Sequence, residues 1–490
     1  MRFMILFVAA FCLLAVPVES YSQDPVRLFS IVNSLDTGKE KTSVASVREA
    51  EISFGGDAFT RLDPLAFEIE LFDGKNFQAI RTNAELRGID DRSWWGKIYK
   101  GRFEGDVILT FHKGYVAGLI YSPDAVYEIV PRGNRHILIE LDQSLFPECV
   151  SGLQPTEEKK LSDISSRLGP ALDSGDRIDI LVVYTTATKN FLGGDTQART
   201  LSQAAIDASN GAYANSRVRQ RVRLVHAEEW VYTETASAST DLSNLRTTLA
   251  IQNLRDSWKA DLVAMIGEIA GACGVAYLMG GSPAGNPSFG FSVTARSCAV
   301  GNLTFAHEIG HNMGSQHNPE NGSGATYSYG YGHYQNQVFR TVMSYVDPCP
   351  NGCARRPYFS NPGVFYNGFP TGVENARDNA RSLNNTADAI ANYRYSGSSI
   401  TLTDPLGISA LPRGISRTVH WSSDNLAGNV RIEFSRDGGR TWQTLVANTP
   451  NDGSEAVTVW GRATRQGRLR IVSIDNPTVT DSSTSNFPIK

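Results

Sequence analysis

Hydrophobic and polar residues alternate along the first part of the chain, from about residue 24 to residue 150. The pattern is clearest in three stretches that carry β-branched and aromatic residues between turn signals: LAFEIELF, GDVILTFHKGYVAGLIYS and AVYEIVPRGNRHILIEL. A period of two residues is that of a strand with one buried face. The sequence therefore predicts a β-rich region, in which His112 and His136 are strand residues without a chemical role.

The middle of the chain mixes strand-like and helix-like periods. A buried strand is predicted at 178–185, an alanine-rich helix at 196–216 and a second strand at 222–230. Two further apolar runs, DLVAMIG and GVAYLM, are short enough to be core strands, and a last helix is predicted at about 375–393. Strands and helices that alternate in this way indicate an α/β domain.

The pattern changes again after the sequence SGSSITLTDP. Short strands such as RTVHWSS, VRIEFS, AVTVWG and LRIVSID alternate with turns, and no helical period is present. This final segment of about 90 residues predicts a β-sandwich. Its Trp421, Trp442 and Trp460 either pack inside the sandwich, which is the more common place for them, or stack on sugars at a binding surface.

The N-terminus carries an uninterrupted apolar run, FMILFVAAFCLLAV at residues 3–16. It is too short to span a membrane and is typical of a secretory signal, with cleavage expected near Ser20 or Ser22. A buried N-terminal helix is the alternative. We expect an exported, extracellular protein, released directly or by way of a periplasm. No later segment has 18 uninterrupted apolar residues, so no membrane span is expected.

Composition limits the partners of this chain. Of its 490 residues 41% are hydrophobic and 20% charged, the formal net charge is −4, and no lysine- or arginine-rich run is present. Nucleic acid is therefore a poor candidate for a partner, as is an acidic membrane surface. The polar stretch QPTEEKKLSDISSRLGPALDSGD at 154–176 is typical of an exposed linker that proteases cut.

Three of the eight histidines lie in one short stretch, FAHEIGHNMGSQH at 305–317. On a helix His307 and His311 share one face, ~6 Å apart along the axis, and two imidazoles so placed can hold one Zn²⁺. His317 follows six residues later, too far along the same helix to join them. The chain must turn back, and Gly314 stands where positive φ is needed.

Glu308 follows the first histidine and points about 100° away from it around the helix. It therefore flanks the metal, where it can accept a proton from zinc-activated water and deliver it to a leaving amine. Three histidine nitrogens leave a fourth position open, as in a catalytic zinc site. The alternative is a set of three hydrogen-bonded core histidines, which the spacing strongly disfavours.

The stretch HEIGHNMGSQH resembles the HExxHxxGxxH pattern of the metzincin zinc endopeptidases, and TVMSY at 341–345 resembles their Met-turn. Over about 175–395 the chain is most similar to bacterial reprolysin-like peptidases of the adamalysin group, and more distantly to bacterial peptidyl-Asp metalloendopeptidases. The β-rich segment is similar to the propeptide of that family. The resemblance implies a secreted zinc endopeptidase with one catalytic zinc, made as a latent precursor, that acts on proteins or peptides.

The resemblance also implies roles for individual residues. Met343 would form a hydrophobic floor beneath the zinc. Tyr345 would either stabilise the tetrahedral intermediate through its hydroxyl, as in astacins and serralysins, or be a packing residue. An edge strand would pair with the extended substrate, at Gly274, Val275, Ala276 and Tyr277. One departure is Asn318, after the third histidine, where reprolysins usually have aspartate.

The expected architecture is multidomain. It comprises a signal peptide at 1–20, a β-rich inhibitory propeptide at 21–172, an α/β metzincin catalytic domain at 173–396 and an Ig-like β-sandwich at 397–490. The catalytic domain would contain a mixed sheet and the zinc-binding helix. The C-terminal domain is a candidate for binding a surface or a glycan. We expect a monomer. The sequence does not predict whether the protein binds calcium.

Five cysteines remain after Cys12 in the signal, an odd number for an exported chain. The resemblance implies two disulfides in the catalytic domain, Cys273 with Cys298 and Cys349 with Cys353, although the sequence allows other pairings. Cys149, in FPECVSG, is left over in the propeptide. It would either bind the zinc of the latent form, as in matrix metalloproteinases and reprolysins, or be a buried thiol, or form a disulfide.

Two questions of function stay open at the level of sequence. Arg355 and Arg356, after the Met-turn, either line a pocket that favours acidic residues or have a surface role, which is the more common one. The rival to an enzyme is an exported binding or adhesion protein with a degenerate zinc site. The intact set of three histidines and Glu308 argues against that rival.

Overall fold

A computed structural model describes residues 25–35, 41–60, 64–88, 90–155, 177–347, 349, 352–394, 397–403, 411–424, 426–477, 479–483 and 486–490. The predicted signal peptide at 1–20 and nearly all of the predicted linker at 154–176 lie outside the described residues. Among the helices that the structure describes, none is long and apolar enough to cross a membrane.

The N-terminal segment (25–155) forms one sheet of ten strands in the order β1-β4-β5-β6-β7-β8-β9-β10-β3-β2. Its elements are β1 Val26–Arg27, β2 Phe29–Leu35, β3 Ser46–Phe54, α1 Gly56–Thr60, β4 Ala66–Leu71, β5 Lys75–Gly88, β6 Asp91–Lys100, β7 Phe103–His112, β8 Tyr115–Tyr121, β9 Val126–Arg132 and β10 Arg135–Leu141. The β-rich character predicted from alternation is confirmed, with His112 and His136 in strands.

The central segment (177–394) contains a five-stranded sheet in the order β12-β11-β13-β15-β14. The sheet is mixed, because β14 alone runs antiparallel to its neighbour β15 and forms one edge. Its elements are β11 Arg177–Thr185, α2 Thr186–Leu192, α3 Asp195–Asn215, β12 Arg221–Trp230, α4 Ala238–Thr247, α5 Leu249–Ser257, β13 Leu262–Gly267, β14 Gly274–Ala276, β15 Phe291–Ala295, α6 Arg296–Ala299 and α7 Thr304–Asn312.

Among the described residues after α7, the central segment contains two hairpins and one helix, namely β16 Tyr334–Gln335, β17 Phe339–Arg340, β18 Phe365–Tyr366, β19 Phe369–Pro370 and α8 Asn379–Ile390. The helix predicted at 375–393 is thus shorter than expected. The reason is local, since the Asp378 side chain accepts a hydrogen bond from the Arg381 N–H and caps the helix there.

The N-terminal sheet packs against helix α3, and the two share one apolar core with residues such as Ile108, Leu119, Ala205 and Ala212. The approach is close at Gly211, where an added Cβ would lie 2.8 Å from Ile108 Cδ1. Buried polar contacts cross the same interface, because Asp207 on α3 accepts hydrogen bonds from the Ser93 and Thr110 hydroxyls. The N-terminal segment is therefore docked on the central segment.

The C-terminal segment (397–490) consists of two antiparallel sheets that enclose a separate apolar core. Its strands are β20 Ser399–Leu402, β21 Ser416–Asp424, β22 Val430–Ser435, β23 Gln443–Thr449, β24 Ser454–Thr458, β25 Thr464–Ser473, β26 Thr480–Ser482 and β27 Phe487–Ile489. Trp421 is buried in this core, as expected, but Trp460 is 69% exposed. The preference for buried tryptophans is therefore wrong at Trp460, which follows β24 in a loop.

Candidate functional site

Helix α7 carries the first two histidines and Glu308, and every residue of the helix is buried. The helix ends where Gly314 adopts φ 88°, and Ser315 N–H then bonds back to the Gly310 carbonyl at 2.9 Å. Only glycine takes this conformation readily, and a Cβ at Gly314 would also lie 2.8 Å from Thr326 Oγ1. The turn redirects the chain so that His317 comes back towards the helix.

The three histidines meet at one point. His317 Nε2 lies 3.1 Å from His307 Nε2 and 2.9 Å from His311 Nε2. These distances are close to the ~3.3 Å between ligand atoms of a tetrahedron whose Zn–N bonds are ~2.0–2.1 Å. All three rings are buried. The donor atoms are therefore arranged as a metal site requires.

The opposite nitrogen of each ring is held by a backbone carbonyl. His307 Nδ1 donates to Val342 O at 2.9 Å. His311 Nδ1 donates to Ser315 O at 3.0 Å, and His317 Nδ1 to Asn321 O at 3.4 Å. With Nδ1 protonated, Nε2 carries the free lone pair. Burial lowers the pKa of His311 to about 4 and lowers that of the other two as well, which favours neutral rings. Neutral imidazole nitrogens are ligands that suit zinc.

Met343 is fully buried and packs against the helix that carries His307 and His311. A Cβ at Gly310, the residue before His311, would come within 2.7 Å of Met343 Sδ, so the helix and the turn pack directly on each other. Asn318 ties the turn to the third histidine, because its Oδ1 accepts hydrogen bonds from Tyr345 N–H at 3.0 Å and Ser344 Oγ at 3.3 Å. Its Nδ2 also donates to Glu320 Oε2 at 3.0 Å and to Asn321 Oδ1, so this asparagine uses both its acceptor and its donor.

Glu308 is fully buried, and neither carboxylate oxygen has a hydrogen-bond partner among the residues that the structure describes. Burial raises the pKa of Glu308 to about 8, partly offset by the Cys149 thiol and Arg355. Its side chain packs on the edge strand at Gly274, where an added Cβ would lie 2.5 Å from Glu308 Oε1. The position therefore suits a residue that gives and takes protons in a cleft beside β14.

An extended stretch of the N-terminal segment, residues 148–153, lies along β14. Val150 N–H donates to Gly274 O and Leu153 N–H to Ala276 O, each at 2.9 Å, and Leu153 pairs with Tyr277 in parallel orientation. We call this stretch the cleft segment. It uses the edge of β14, including Val275, that the sequence predicts for substrate.

The cleft segment brings Cys149 to the histidine cluster. A nitrogen of His307, a carboxylate oxygen of Glu308 and Cys149 Sγ lie within 4.8 Å of one another. The Tyr345 hydroxyl donates to the Cys149 carbonyl at 2.7 Å, and the Tyr345 ring lies 4.1 Å from the His317 ring. The structure thus gathers Cys149, Glu308, Tyr345 and the histidines at one place.

The remaining cysteines are paired as expected. Cys273 bonds to Cys298 and Cys349 to Cys353, and Cys149 is free and buried. The first disulfide anchors the start of β14 to α6, next to the cleft. The surface role considered for Arg355 is wrong, since that residue is 1% exposed, whereas Arg356 is half-buried against the Tyr121 ring.

Residues 174–360 match the sequence profile of metallo-peptidase family M12. A peptidyl-Asp metalloendopeptidase of Stenotrophomonas maltophilia is 32% identical over 382 residues, which cover 72% of this chain and 87% of that protein. This chain belongs to the M12 metallopeptidase family. A relative of the same name from Xanthomonas campestris pv. campestris is 29% identical over 383 residues, or 74% of this chain and 89% of the relative.

Membership of the family confirms the reprolysin-like metzincin resemblance and makes the protein a zinc metalloendopeptidase. The three histidines at 307, 311 and 317 are a group in the described residues that can hold the metal. Sequence reasoning missed Arg340 and Glu148, which border the same cleft. Arg340 directly precedes the Met-turn motif, and that position was a possible signal. A buried arginine, however, cannot be told from an exposed one by sequence alone.

Proposed function

We propose that this protein is a secreted zinc endopeptidase that is made as a latent precursor. In this proposal residues 1–20 are a signal, 21–172 an inhibitory propeptide, 173–396 the catalytic domain and 397–490 an Ig-like β-sandwich. The observation that carries it is the convergence of three neutral histidine nitrogens in a cleft that residues 148–153 fill. Beside them lies Glu308, whose carboxylate oxygens have no hydrogen-bond partner among the described residues. Two disulfides among the described residues support an oxidising destination.

His307, His311 and His317 would hold the zinc, which when bound polarises a carbonyl group and makes water a better nucleophile at neutral pH. Glu308 takes the proton of the attacking water on a carboxylate oxygen and passes it to the nitrogen of the broken peptide bond. Burial raises the pKa of Glu308 to about 8, so its carboxyl can both take up and release a proton near neutral pH. Gly274, Val275, Ala276 and Tyr277 hold the substrate in extended form through backbone hydrogen bonds.

Tyr345 would stabilise the negative charge that develops on the substrate carbonyl oxygen. Its hydroxyl already donates to a peptide carbonyl in the cleft, that of Cys149, at 2.7 Å. A donor aimed at a developing oxyanion acts mainly in the transition state. Release of the cleft segment would free this hydroxyl for substrate.

Replacement of Tyr345 by phenylalanine should lower kcat by roughly 10- to 1,000-fold with little change in KM, because only a transition-state interaction is removed. Steady-state kinetics on a fluorogenic peptide would measure both constants in the activated enzyme. If kcat is unchanged, Tyr345 is a packing residue.

Latency would come from the cleft segment. Its thiol lies beside the histidine cluster, its backbone occupies the edge of β14, and its carbonyl holds the Tyr345 hydroxyl. In this proposal Cys149 occupies the fourth zinc position as a thiolate, so that no water can take that place. Cleavage in the linker at 154–176 would then allow the N-terminal segment to leave.

The C-terminal segment should be dispensable for catalysis. Its apolar core is separate from the core behind the zinc site. A chain truncated near Ser396, which lies outside the described residues, should stay folded and still cleave small peptides. Circular dichroism and peptide assays would check this. Failure of the truncated chain to fold would mean that the C-terminal segment stabilises the central segment, for instance through the Arg223–Asp424 ion pair.

A binding role for the C-terminal segment is supported by Trp460, whose ring is available to a sugar or a surface. Retention of the full chain, but not of a Trp460→Ala variant, on insoluble polysaccharide would test that role. The activity of both proteins towards a small soluble peptide should be equal.

The relatives named peptidyl-Asp metalloendopeptidases lead us to propose cleavage next to aspartate in this protein as well. The experiment that tests the proposed function is digestion of casein and of a proteome-derived peptide library, with and without a zinc chelator. We expect chelator-sensitive cleavage, restored by added zinc, with aspartate enriched at the cut sites found by mass spectrometry. Absence of cleavage by the protein after linker cutting would contradict the proposal.

A further inference from the structure

Two buried arginines lie directly behind Tyr345. Arg340 is 2% exposed and Arg355 is 1% exposed. Arg340 Nη1 donates to the Ser344 carbonyl at 2.9 Å, and Arg355 Nη2 donates to the same carbonyl at 3.3 Å. Both guanidinium groups therefore border the wall of the cleft that carries Tyr345.

Among the described residues, neither guanidinium forms an ion pair with a carboxylate at 4.0 Å or less. Arg340 also donates to the Cys353 carbonyl and, at 3.5 Å, to Asn302 Oδ1. Arg355 also donates to the Asn302 carbonyl, and its Nε has no partner among the described residues. Burial, and the neighbouring charge of Arg355, lower the pKa of Arg340 to about 9. Two like charges buried together favour the arrival of an anion.

Glu148 of the cleft segment brings a negative charge to this wall. Its Oε1 accepts a hydrogen bond from the Val346 N–H at 3.1 Å, so its side chain points towards the residues that follow the Met-turn. Its own carbonyl accepts from Cys273 N–H at 3.3 Å, which fixes the backbone at this point. The two arginines bind the Ser344 carbonyl and Glu148 binds the N–H two residues later, so the three side chains meet on one short stretch of backbone. Burial lowers the pKa of Arg340, and the charge of Glu148 opposes that change.

We propose that Arg340 and Arg355 form the positive end of a pocket for an acidic substrate side chain beside the scissile bond, and that Glu148 fills this pocket in the precursor. The proposal rests on the endopeptidase function proposed above. Glu148 directly precedes Cys149, which lies beside the zinc histidines. The cleft segment runs parallel to β14. A substrate that runs antiparallel to β14 would therefore place the residue after its scissile bond at the position of Glu148.

The alternative role for the two arginines is structural, as supports for the Ser344 carbonyl. The two roles differ in what the charge of Glu148 contributes. A structural role leaves that charge without effect, whereas a specificity pocket makes it a large part of the affinity of the N-terminal segment for the rest of the chain.

The first test uses full-length protein in a Glu308→Gln background, cut in the linker by an added protease and immobilised through its C-terminus. Release of the N-terminal fragment is followed by surface plasmon resonance. Glu148→Gln keeps the shape and the Val346 contact but removes the charge, and should speed release by roughly 10- to 100-fold. Release within about twofold of the parent would overturn the proposal.

Glu51→Gln is the matched control. Glu51, like Glu148, is a half-buried glutamate of the N-terminal segment, but it lies in the sheet and its ion pair, with Arg135 at 3.6 Å, stays within that sheet. Its substitution should leave the release rate unchanged. Equal acceleration by Glu51→Gln and Glu148→Gln would show a general loss of stability and would also overturn the proposal.

The second test compares two peptides that differ only in aspartate or asparagine after the cleaved bond. In the activated enzyme, Arg355→Gln should lower kcat/KM for the aspartate peptide at least tenfold more than for the asparagine peptide. An equal loss on both peptides would assign Arg355 a structural role. The release assay does not depend on hydrolysis. An inactive wild-type enzyme would therefore contradict the proposed function, while the release assay would still test the pocket.

Discussion

A Glu308→Gln variant should retain one zinc per chain and lose peptide hydrolysis by roughly 10²- to 10⁴-fold. The reason is that the three histidines would hold the metal, whereas Glu308 accepts the proton. The three Nε2 atoms converge on one point, whereas the Glu308 oxygens have no partner among the described residues and pack against β14 at Gly274. Glutamine keeps the volume of this side chain but cannot accept and return a proton. Metal analysis and a peptide assay on the activated protein would check the two halves of the expectation.

The control for Glu308→Gln is His317→Ala. That change removes one of three protein ligands and should lower zinc affinity, so zinc content should fall after dialysis against a weak chelator. Loss of zinc from Glu308→Gln, or near-normal activity in that variant, would contradict the division of roles between the histidines and Glu308.

A Cys149→Ser precursor should hydrolyse peptides before any cleavage of the linker, whereas the wild-type precursor should not. The thiol lies within 4.8 Å of a ring nitrogen of His307, and serine is a much poorer zinc ligand than a thiolate. The assay is hydrolysis of a small fluorogenic peptide, with gel electrophoresis to show that the chain stays intact. Ser151→Ala is the matched control, because Ser151 is an exposed residue of the same segment and its precursor should stay latent.

Continued latency of Cys149→Ser would remove the thiol from the inhibitory mechanism. The block would then come from the backbone of the cleft segment, which pairs with Gly274 and Ala276, and from the docked ten-stranded sheet. The interface at α3, where Asp207 accepts from Ser93 and Thr110, would become the place to weaken.

The parts of the site that depend on local spacing could be predicted from the sequence. His307 and His311 are four positions apart, which places both on one helical face, and Gly314 marks the turn because few other residues accept positive φ. Its observed φ of 88° and the strand at Gly274–Ala276 follow those predictions. The two disulfides were expected only through the family resemblance, since spacing alone allows other pairings.

The parts that depend on long-range packing could not be predicted. Nothing in the sequence near Cys149 indicates that residues 148–153 pair in parallel with a strand about 125 residues later. The burial of Arg355 was missed because charged residues after a turn usually face water. It is buried here because its N–H groups reach the Asn302 and Ser344 carbonyls and the N-terminal segment covers it, with Gln143 Oε1 accepting from its backbone N–H at 2.7 Å.

Zinc K-edge X-ray absorption on the Glu308→Gln precursor, before and after linker cleavage and removal of the N-terminal fragment, tests the central claim most directly. The inert background prevents self-cleavage during the measurement. We predict three nitrogen neighbours and one sulfur neighbour for the zinc of the intact precursor, and three nitrogens with an oxygen and no sulfur after removal. An intact precursor whose zinc shows only nitrogen and oxygen neighbours would contradict the Cys149 switch, and a zinc without imidazole neighbours in either state would contradict the three-histidine site.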